Sequence, residues 1–348
     1  MNKNIEVCFA VNNEFVPMLG VCITSILVNS GHSDNHNFTV LISNITNDNI
    51  KLLEDLKKIK PYNINYITPD YRVLTKNFGH YPSKRISDDA MLRLFSASYM
   101  PQSDKVISLD ADLVVLKPLR ELWEIDISDH YWAAAVDYSI KYDGLAYAQK
   151  IKKYLPPKYN YLNSGVAIFN LKKWREDNAE LTFRQNFLKY KDEGIFTFTD
   201  QDVLNLTFCE SSLELSPEWN TMPLICKNNG VKIPDDPRII HWAGYQKPWK
   251  HVDCLYEEFF WKYARFLPVF DLCLYRKVVA NYQFELKKIR KYIRVSGQCY
   301  GWSLVLKKAI YNVLRKITSG AARRKYEKIY NDIEKLKKDR ERILKNTL

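Results

Sequence analysis

Six short runs rich in β-forming residues recur along the first two-thirds of the chain: EVCFAV (Glu6–Val11), FTVLI (Phe38–Ile42), INYI (Ile64–Ile67), KVISL (Lys105–Leu109), WAAAV (Trp132–Val136) and GVAIF (Gly165–Phe169). The early ones alternate with segments of helical period, and that alternation confines the chain to an α/β architecture built from crossover units. Pro17 to Ser30 sets Leu19, Cys22, Ile23, Ile26 and Leu27 on one stripe and stops at Gly31. Thr46 can cap a helix carrying Ile50, Leu53, Leu56 and Ile59 that Pro61 ends, and Ser87 can cap another through Met91, Leu94, Phe95 and Ser98 that Pro101 ends. The expected fold is α/β, a mixed, mostly parallel twisted sheet flanked by helices.

The 348 residues suffice for one elaborated α/β domain and an appendage. Apolar residues at 46% and charged residues at 26% are ordinary globular usage, which excludes fibrous and low-complexity classes. The cysteines, Cys8, Cys22, Cys209, Cys226, Cys254, Cys273 and Cys299, are odd in number and form no C-x-x-C pair, so neither a zinc ribbon nor a disulfide framework is indicated. The opening MNKNIEVCFAV shows no signal-peptide pattern, and no run reaches the roughly 18 apolar residues of a membrane span. A cytoplasmic location is expected, peripheral on the inner face of the cell membrane.

The peripheral placement comes from charge. From Gln283 onward there are 19 lysines and arginines against 6 acids, leaving 33 against 34 in the preceding residues. The net charge of +12 is therefore a property of the tail. Within it Trp302, Val305, Leu306, Ala309, Ile310, Val313, Leu314 and Ile317 recur at helical spacing among basic residues, the pattern of an in-plane membrane helix on anionic lipid. A helix covering the body is the alternative. Tyr326, Ile329, Ile333, Leu336 and Ile343 then follow an imperfect heptad spacing that could pack on the body or pair two chains as a homodimer. The tail lacks a recognisable nucleic-acid motif and its aromatics are sparse, so no nucleic acid is expected as a partner. The expected division is a catalytic domain over residues 1–265 and a basic helical extension over 266–348.

The segment richest in chemistry is KVISLDADLVVL, where an apolar strand ends in Asp110-Ala111-Asp112. In extended chain the side chains of i and i+2 project to one side, so the two carboxylates can converge on a hard cation. Ligands of open α/β sheets bind outside the carboxyl ends of strands, which is where this pair falls. An Asp-x-Asp taken alone is more often a solvated strand end.

LDADLVVLKPLRELW, together with CFAVNNEFVPMLGVCITSI, resembles glycosyltransferase family 8, the retaining GT-A enzymes that include glycogenin and bacterial lipopolysaccharide galactosyl- and glucosyltransferases. Further matches follow in order: ISDDAMLRL (Ile86–Leu94), YLNSGVAIFNLKKW (Tyr161–Trp174), TDQDVLNLTF (Thr199–Phe208), WNTMP (Trp219–Pro223) and HWAGYQKPW (His241–Trp249). The resemblance covers roughly residues 5 to 260.

The resemblance implies a GT-A fold and a Mn²⁺ ion, with Mg²⁺ as the alternative, held against a UDP-sugar diphosphate by Asp110, Asp112 and His241. Gly244 and Lys247 would attend the phosphates. It assigns uridine to Ala10, Val11, Asn12, Asn13 and Phe15, although the family often has an acid where this chain has Asn12 and Asn13. It assigns the donor sugar to Arg93, Asn163, Ser164, Asp200 and Gln201. Arg93 interrupts an apolar stripe and needs a partner such as phosphate or Asp110. Thr199 or Asp200 could instead serve only to cap a helix.

Gln201, matching the family residue near the reacting carbon, is an amide and a poor nucleophile. Front-face transfer is therefore expected, with Asp200 and Gln201 stabilising developing charge and Asp137 as a candidate for acceptor binding. The expected reaction moves a hexose, galactose before glucose, from UDP to a hydroxyl of a saccharide acceptor such as lipopolysaccharide. A glycoprotein acceptor and a catalytically dead carbohydrate-binding protein are the alternatives.

Overall fold

The computed structural model describes residues 4–70, 88–142, 150–251, 254–267, 270, 327 and 331. They fall in two compact units, Met1–Gln246 and Lys247–Leu348. The amphipathic and heptad-like stretches expected in the tail lie outside the described residues, as does Ser87. The described cysteines, Cys8, Cys22, Cys209, Cys226 and Cys254, are free and buried. No helix among the described residues is long and apolar enough to cross a membrane.

The first unit is built on a seven-stranded sheet of order β3-β2-β1-β4-β7-β6-β8. Its strands are β1 (Ile5–Ala10), β2 (His36–Leu41), β3 (Asn63–Ile67), β4 (Lys105–Leu109), β6 (Trp132–Val136), β7 (Leu162–Asn170) and β8 (Ser212–Glu214). Pairing is parallel except where β7 runs antiparallel to both β4 and β6. The mixed, mostly parallel sheet expected from the alternation is present. A second, two-stranded antiparallel sheet joins β5 (Leu113–Val115) to β9 (Ile239–His241). The sequence reading contains none of β5, β8 and β9. Each is three residues long, too short for a period to register.

The helix α1 (Val16–Asn29) differs from expectation in being buried on nearly every face, from Met18 through Leu27. Its sequence VPMLGVCITSILVN carries no charge, which fits a helix sandwiched in a core better than an amphipathic one. The Ser25 hydroxyl accepts from Val115 N–H at 2.8 Å and the Asn29 amide donates to Val115 O at 2.9 Å, so α1 clamps β5 in place. Helix α2 (Asn47–Asp55) is capped by Thr46, whose hydroxyl accepts from Asn49 N–H.

The helix expected around Met91 is a 3-10 helix from Asp88 to Phe95, followed by one α-helical turn, Ser96–Tyr99. Runs of 3-10 geometry this long are uncommon. Within it the buried Arg93 guanidinium is tied to Ser164 O, Asp110 and Asp200.

In the core Phe169, Trp174, Phe183 and Phe208 meet in tilted and edge-on pairs 4.7 to 5.2 Å apart between Phe169 or Phe183 and their neighbours. They lie between the sheet, α3 (Ala179–Tyr190) and α4 (Thr199–Phe208). The second unit contains α5 (Glu257–Ala264), on which Phe260 packs against Trp249 at 5.2 Å and edge-on against Phe270 at 5.3 Å.

Candidate active site

β4 ends at Leu109, and Asp110 N–H donates to Gly165 O at 2.8 Å, fixing the first carboxylate against the start of β7. Asp110 to Asp112 occupy a bend between β4 and β5 rather than continuing the strand, yet the two carboxylates still converge. β9 pairs with β5 so that His241 lies opposite Leu113, and Trp242 N–H donates to Asp112 O at 3.0 Å. One ligand atom each of Asp110, Asp112 and His241 lies within 4.8 Å of the other two. His241 Nε2 stands 3.5 Å from Asp110 Oδ2 and 3.3 Å from Asp112 Oδ1.

Two carboxylate oxygens and one imidazole nitrogen suit a borderline-hard divalent ion such as Mn²⁺. The space beside them depends on Gly165. A Cβ there would lie 2.3 Å from His241 Cε1 and 2.7 Å from Asp110 Oδ2. The residues present therefore fit the expected metal.

Arg93, 3% exposed, stands at the centre of the neighbouring charged cluster. It pairs with Asp110, and its Nε lies 3.1 Å from Asp200 Oδ2 while Nη1 donates to Ser164 O at 2.7 Å. The partner the sequence required is thus a pair of carboxylates. Burial disfavours the guanidinium charge, but Asp110 and Asp200 outweigh it and hold the group firmly protonated. Burial raises the Asp200 carboxyl above its ordinary value, with Arg93 opposing.

α4 presents Asp200 and Gln201 at its first turn, but neither Thr199 nor Asp200 caps it. The cap residue is Phe198, and no side chain caps it. Asp202 instead accepts from Thr197 N–H at 2.7 Å and Phe198 N–H at 2.8 Å, and its other oxygen accepts from the Tyr161 hydroxyl at 2.5 Å. Burial pushes the Asp202 carboxyl up to about 7 against those hydrogen bonds. Sequence reading missed Asp202, since its role depends on a loop folding back over the helix start.

Ser164 Oγ donates to Asp200 Oδ2 at 3.1 Å, and Ser164 N–H donates to Gln201 Oε1 at 3.0 Å. Gln201 Nε2 donates to Asp137 Oδ2 at 3.0 Å, which also accepts from Asn163 Nδ2 at 3.0 Å. Asp137 Oδ1 accepts from Ser139 N–H at 3.0 Å and Ser139 Oγ at 2.6 Å. Both Asp137 oxygens are thus engaged within the protein, and the residue is 2% exposed. Arg93, Asp110, Asp137, Asn163, Ser164, Asp200, Gln201 and His241 form one continuous cluster around Gly165.

At the end of β1, Val11 is buried and its N–H continues the ladder to Leu41 O at 3.1 Å. Asn12 Oδ1 caps a 3-10 turn by accepting from Phe15 N–H at 3.0 Å. Asn13 Oδ1 accepts from Thr46 N–H at 2.9 Å and Asn49 Nδ2 at 2.8 Å. The two asparagines shape the loop after Ala10 with their carbonyl oxygens, and Phe15 is half-buried beside them. Gly244 has φ +88, a conformation that favours glycine, just beyond His241. Lys247 opens the second unit, where its N–H donates to His251 Nδ1 at 3.1 Å.

Comparison with known proteins gives the same outline. Over 257 residues the chain is 27% identical to the lipopolysaccharide 1,2-glucosyltransferase of Escherichia coli K12, covering 70% of this chain and 72% of that one. It is 29% identical over 262 residues to glycosyltransferase GlyA of Streptococcus pneumoniae, covering 74% of this chain but only 34% of GlyA. This chain therefore spans about a third of GlyA's length. Among solved structures it resembles the galactosyltransferase LgtC bound to donor and acceptor sugar analogues, with TM-score 0.65, 26% identity and coverage of 76% of this chain and 96% of that one. The sheet order with one reversed strand is that of the GT-A fold. Residues 6–253 match the profile of glycosyl transferase family 8, and the chain belongs to that family.

Proposed function

We propose that this chain is a retaining, Mn²⁺-dependent transferase that moves a hexose, galactose in preference to glucose, from a UDP-sugar to a saccharide hydroxyl. The acceptor class we favour is lipopolysaccharide or another cell-surface glycan. The observation that carries this reading is the convergence of Asp110, Asp112 and His241 on one point, beside the buried Arg93–Asp200–Ser164–Gln201 cluster. A divalent cation bound by that triad would stabilise negative charge on a departing diphosphate. The kinship with a lipopolysaccharide glucosyltransferase and with LgtC supports the donor and acceptor classes.

In this reading the bond from the anomeric carbon to UDP breaks and a bond to the acceptor oxygen forms on the same face. The acceptor proton passes to a phosphate oxygen of the leaving UDP. Asp200 and the Gln201 amide stabilise the oxocarbenium-like charge, since an amide held between Ser164 and Asp137 is a poor nucleophile. Loop residues Ala10 to Phe15 hold uridine, and Gly244 attends the diphosphate. The test is release of UDP from a panel of UDP-sugars, with Mn²⁺ and with chelator. Slow, metal-requiring hydrolysis of one UDP-hexose is the expected result. No hydrolysis, together with no calorimetric UDP binding in Mn²⁺, would sink the transferase reading.

The basic extension is read as a peripheral anchor on anionic lipid. A chain truncated after Ser296 should lose binding to liposomes containing anionic lipid while keeping UDP release. Undiminished sedimentation of the truncated chain with those liposomes would remove the anchor.

A further inference from the structure

Hydrogen positions around the candidate metal centre follow from groups whose polarity is not in question. Gly165 N–H can only donate, and it points at Asn163 Oδ1 at 3.0 Å. Asp137 Oδ2, already accepting from Gln201, receives the other end of the Asn163 amide at 3.0 Å. Asn163 is therefore oriented with its oxygen toward Asn220, which must offer its Nδ2 at 2.9 Å. That leaves Asn220 Oδ1 facing His241 Nδ1 at 2.9 Å. An amide oxygen only accepts, so Nδ1 carries a proton, and Nε2 is the nitrogen turned toward Asp110 and Asp112.

In the absence of metal this is not the tautomer that the carboxylates favour. Asp112 Oδ1 at 3.3 Å and Asp110 Oδ2 at 3.5 Å would both draw an Nε2–H. Asn220 is 2% exposed and supplies the opposing pull. We propose that Asn220 is a positioning residue that locks His241 in the Nδ1–H tautomer through a relay, Asp137 to Asn163 to Asn220, keeping Nε2 ready to ligate. The role rests on the metal reading above. It links the sugar-side cluster to the metal side through buried hydrogen bonds, and buried partners of ligating histidines typically hold the tautomer in this way.

The test uses the full chain labelled with ¹⁵N-histidine, free of metal, at pH 8, with His241 assigned by loss of its signal in His241→Gln. Long-range ¹H–¹⁵N spectra distinguish the two tautomers directly. Wild type should show Nδ1–H, Asn220→Leu should shift several-fold toward Nε2–H, and Asn220→Asp, which keeps an acceptor for Nδ1–H, should restore the wild-type pattern. Calorimetry with Mn²⁺ alone should then show affinity in Asn220→Leu weaker by roughly 10- to 100-fold. Nε2–H dominating in wild type overturns the proposal, whatever the variants do. So does an Asn220→Leu protein that keeps Nδ1–H and wild-type Mn²⁺ affinity. Failure of the metal reading looks different: wild type then shows Nδ1–H but takes up no Mn²⁺, and the assigned purpose falls with it.

Discussion

Replacing Gly165 by alanine is expected to remove metal-dependent UDP release as completely as the double change Asp110→Asn/Asp112→Asn. The added methyl would sit 2.3 Å from His241 Cε1, 2.7 Å from Asp110 Oδ2 and 2.9 Å from His241 Nδ1, all well inside van der Waals contact. Retreat of the backbone is opposed, because Gly165 O accepts from Asp110 N–H and Gly165 N–H donates to Asn163 Oδ1. Both ligands must therefore swing away from the point they share. A displacement of about 1 Å in a reacting constellation costs on the order of 10²-fold in rate, and here two of three ligands move. The overpacking itself should cost about 1–3 kcal/mol of stability. Measured Mn²⁺ affinity and UDP release in a folded Gly165→Ala protein check this; near-normal values for both would mean that the cation binds elsewhere.

Arg93→Met should lower stability by about 3–5 kcal/mol, the usual cost of stripping one partner from a buried ion pair. The guanidinium is 3% exposed and stands between Asp110 and Asp200, and Asp200 has no escape to solvent. Burial already raises the Asp200 carboxyl, and loss of its cation raises it further. A carboxyl whose folded pKa exceeds its unfolded one binds more protons in the folded state, so it destabilises progressively as pH rises through the interval between the two values. The variant should accordingly regain stability on acidification, opposite to an ordinary loss of a salt-bridged acid. Asp200→Asn added to Arg93→Met should recover part of the deficit at neutral pH, since no buried carboxylate is then left uncompensated at that position. Urea titrations of the three proteins at pH 5 and pH 8 give the comparison. A deficit in Arg93→Met that is unchanged between the two pH values would assign the loss to packing instead of charge.

How much of this was visible in the sequence depends on the reach of each interaction. The strands Lys105–Leu109 and Trp132–Val136 are found where their apolar runs place them, because both are bounded by polar residues and buried along their length. β7 begins three residues before its apolar run, since Leu162, Asn163 and Ser164 are buried strand positions serving the cluster. The apolar stripe of α1 is genuine, but its second buried face follows only from what packs on it. The Asp-x-Asp pair stands out at the end of an apolar strand, whereas His241 is reached only through the family resemblance, and β9, which delivers the histidine, has too few residues to announce itself.

Arg93 is legible as a charge needing a partner, and Asp110 as one candidate for it, whereas Asp200 as the second carboxylate is not. Asn220, Asp202 and Ser139 were missed for one reason. Each acts through hydrogen bonds whose partners are separated in sequence or whose geometry depends on a local turn, and no spacing rule encodes that.

The pairing of β5 with β9 also sets a rule for the chain's tolerance of insertion and deletion. Three pairs, Leu113 with His241, Val114 with Ile240 and Val115 with Ile239, decide which residue faces the carboxylates. Side chains alternate along a strand, so a slip of one place would turn His241 away and offer the apolar Ile240 or the bulky Trp242 instead. Thr221 guards against this from the side, its N–H donating to Ile239 O at 3.0 Å and its O accepting from His241 N–H at 2.8 Å. Length changes between Lys227 and Asp235, a stretch with no buried residue, leave that register untouched. A single residue added between Ile239 and His241 would silence the site while leaving the seven-stranded sheet whole.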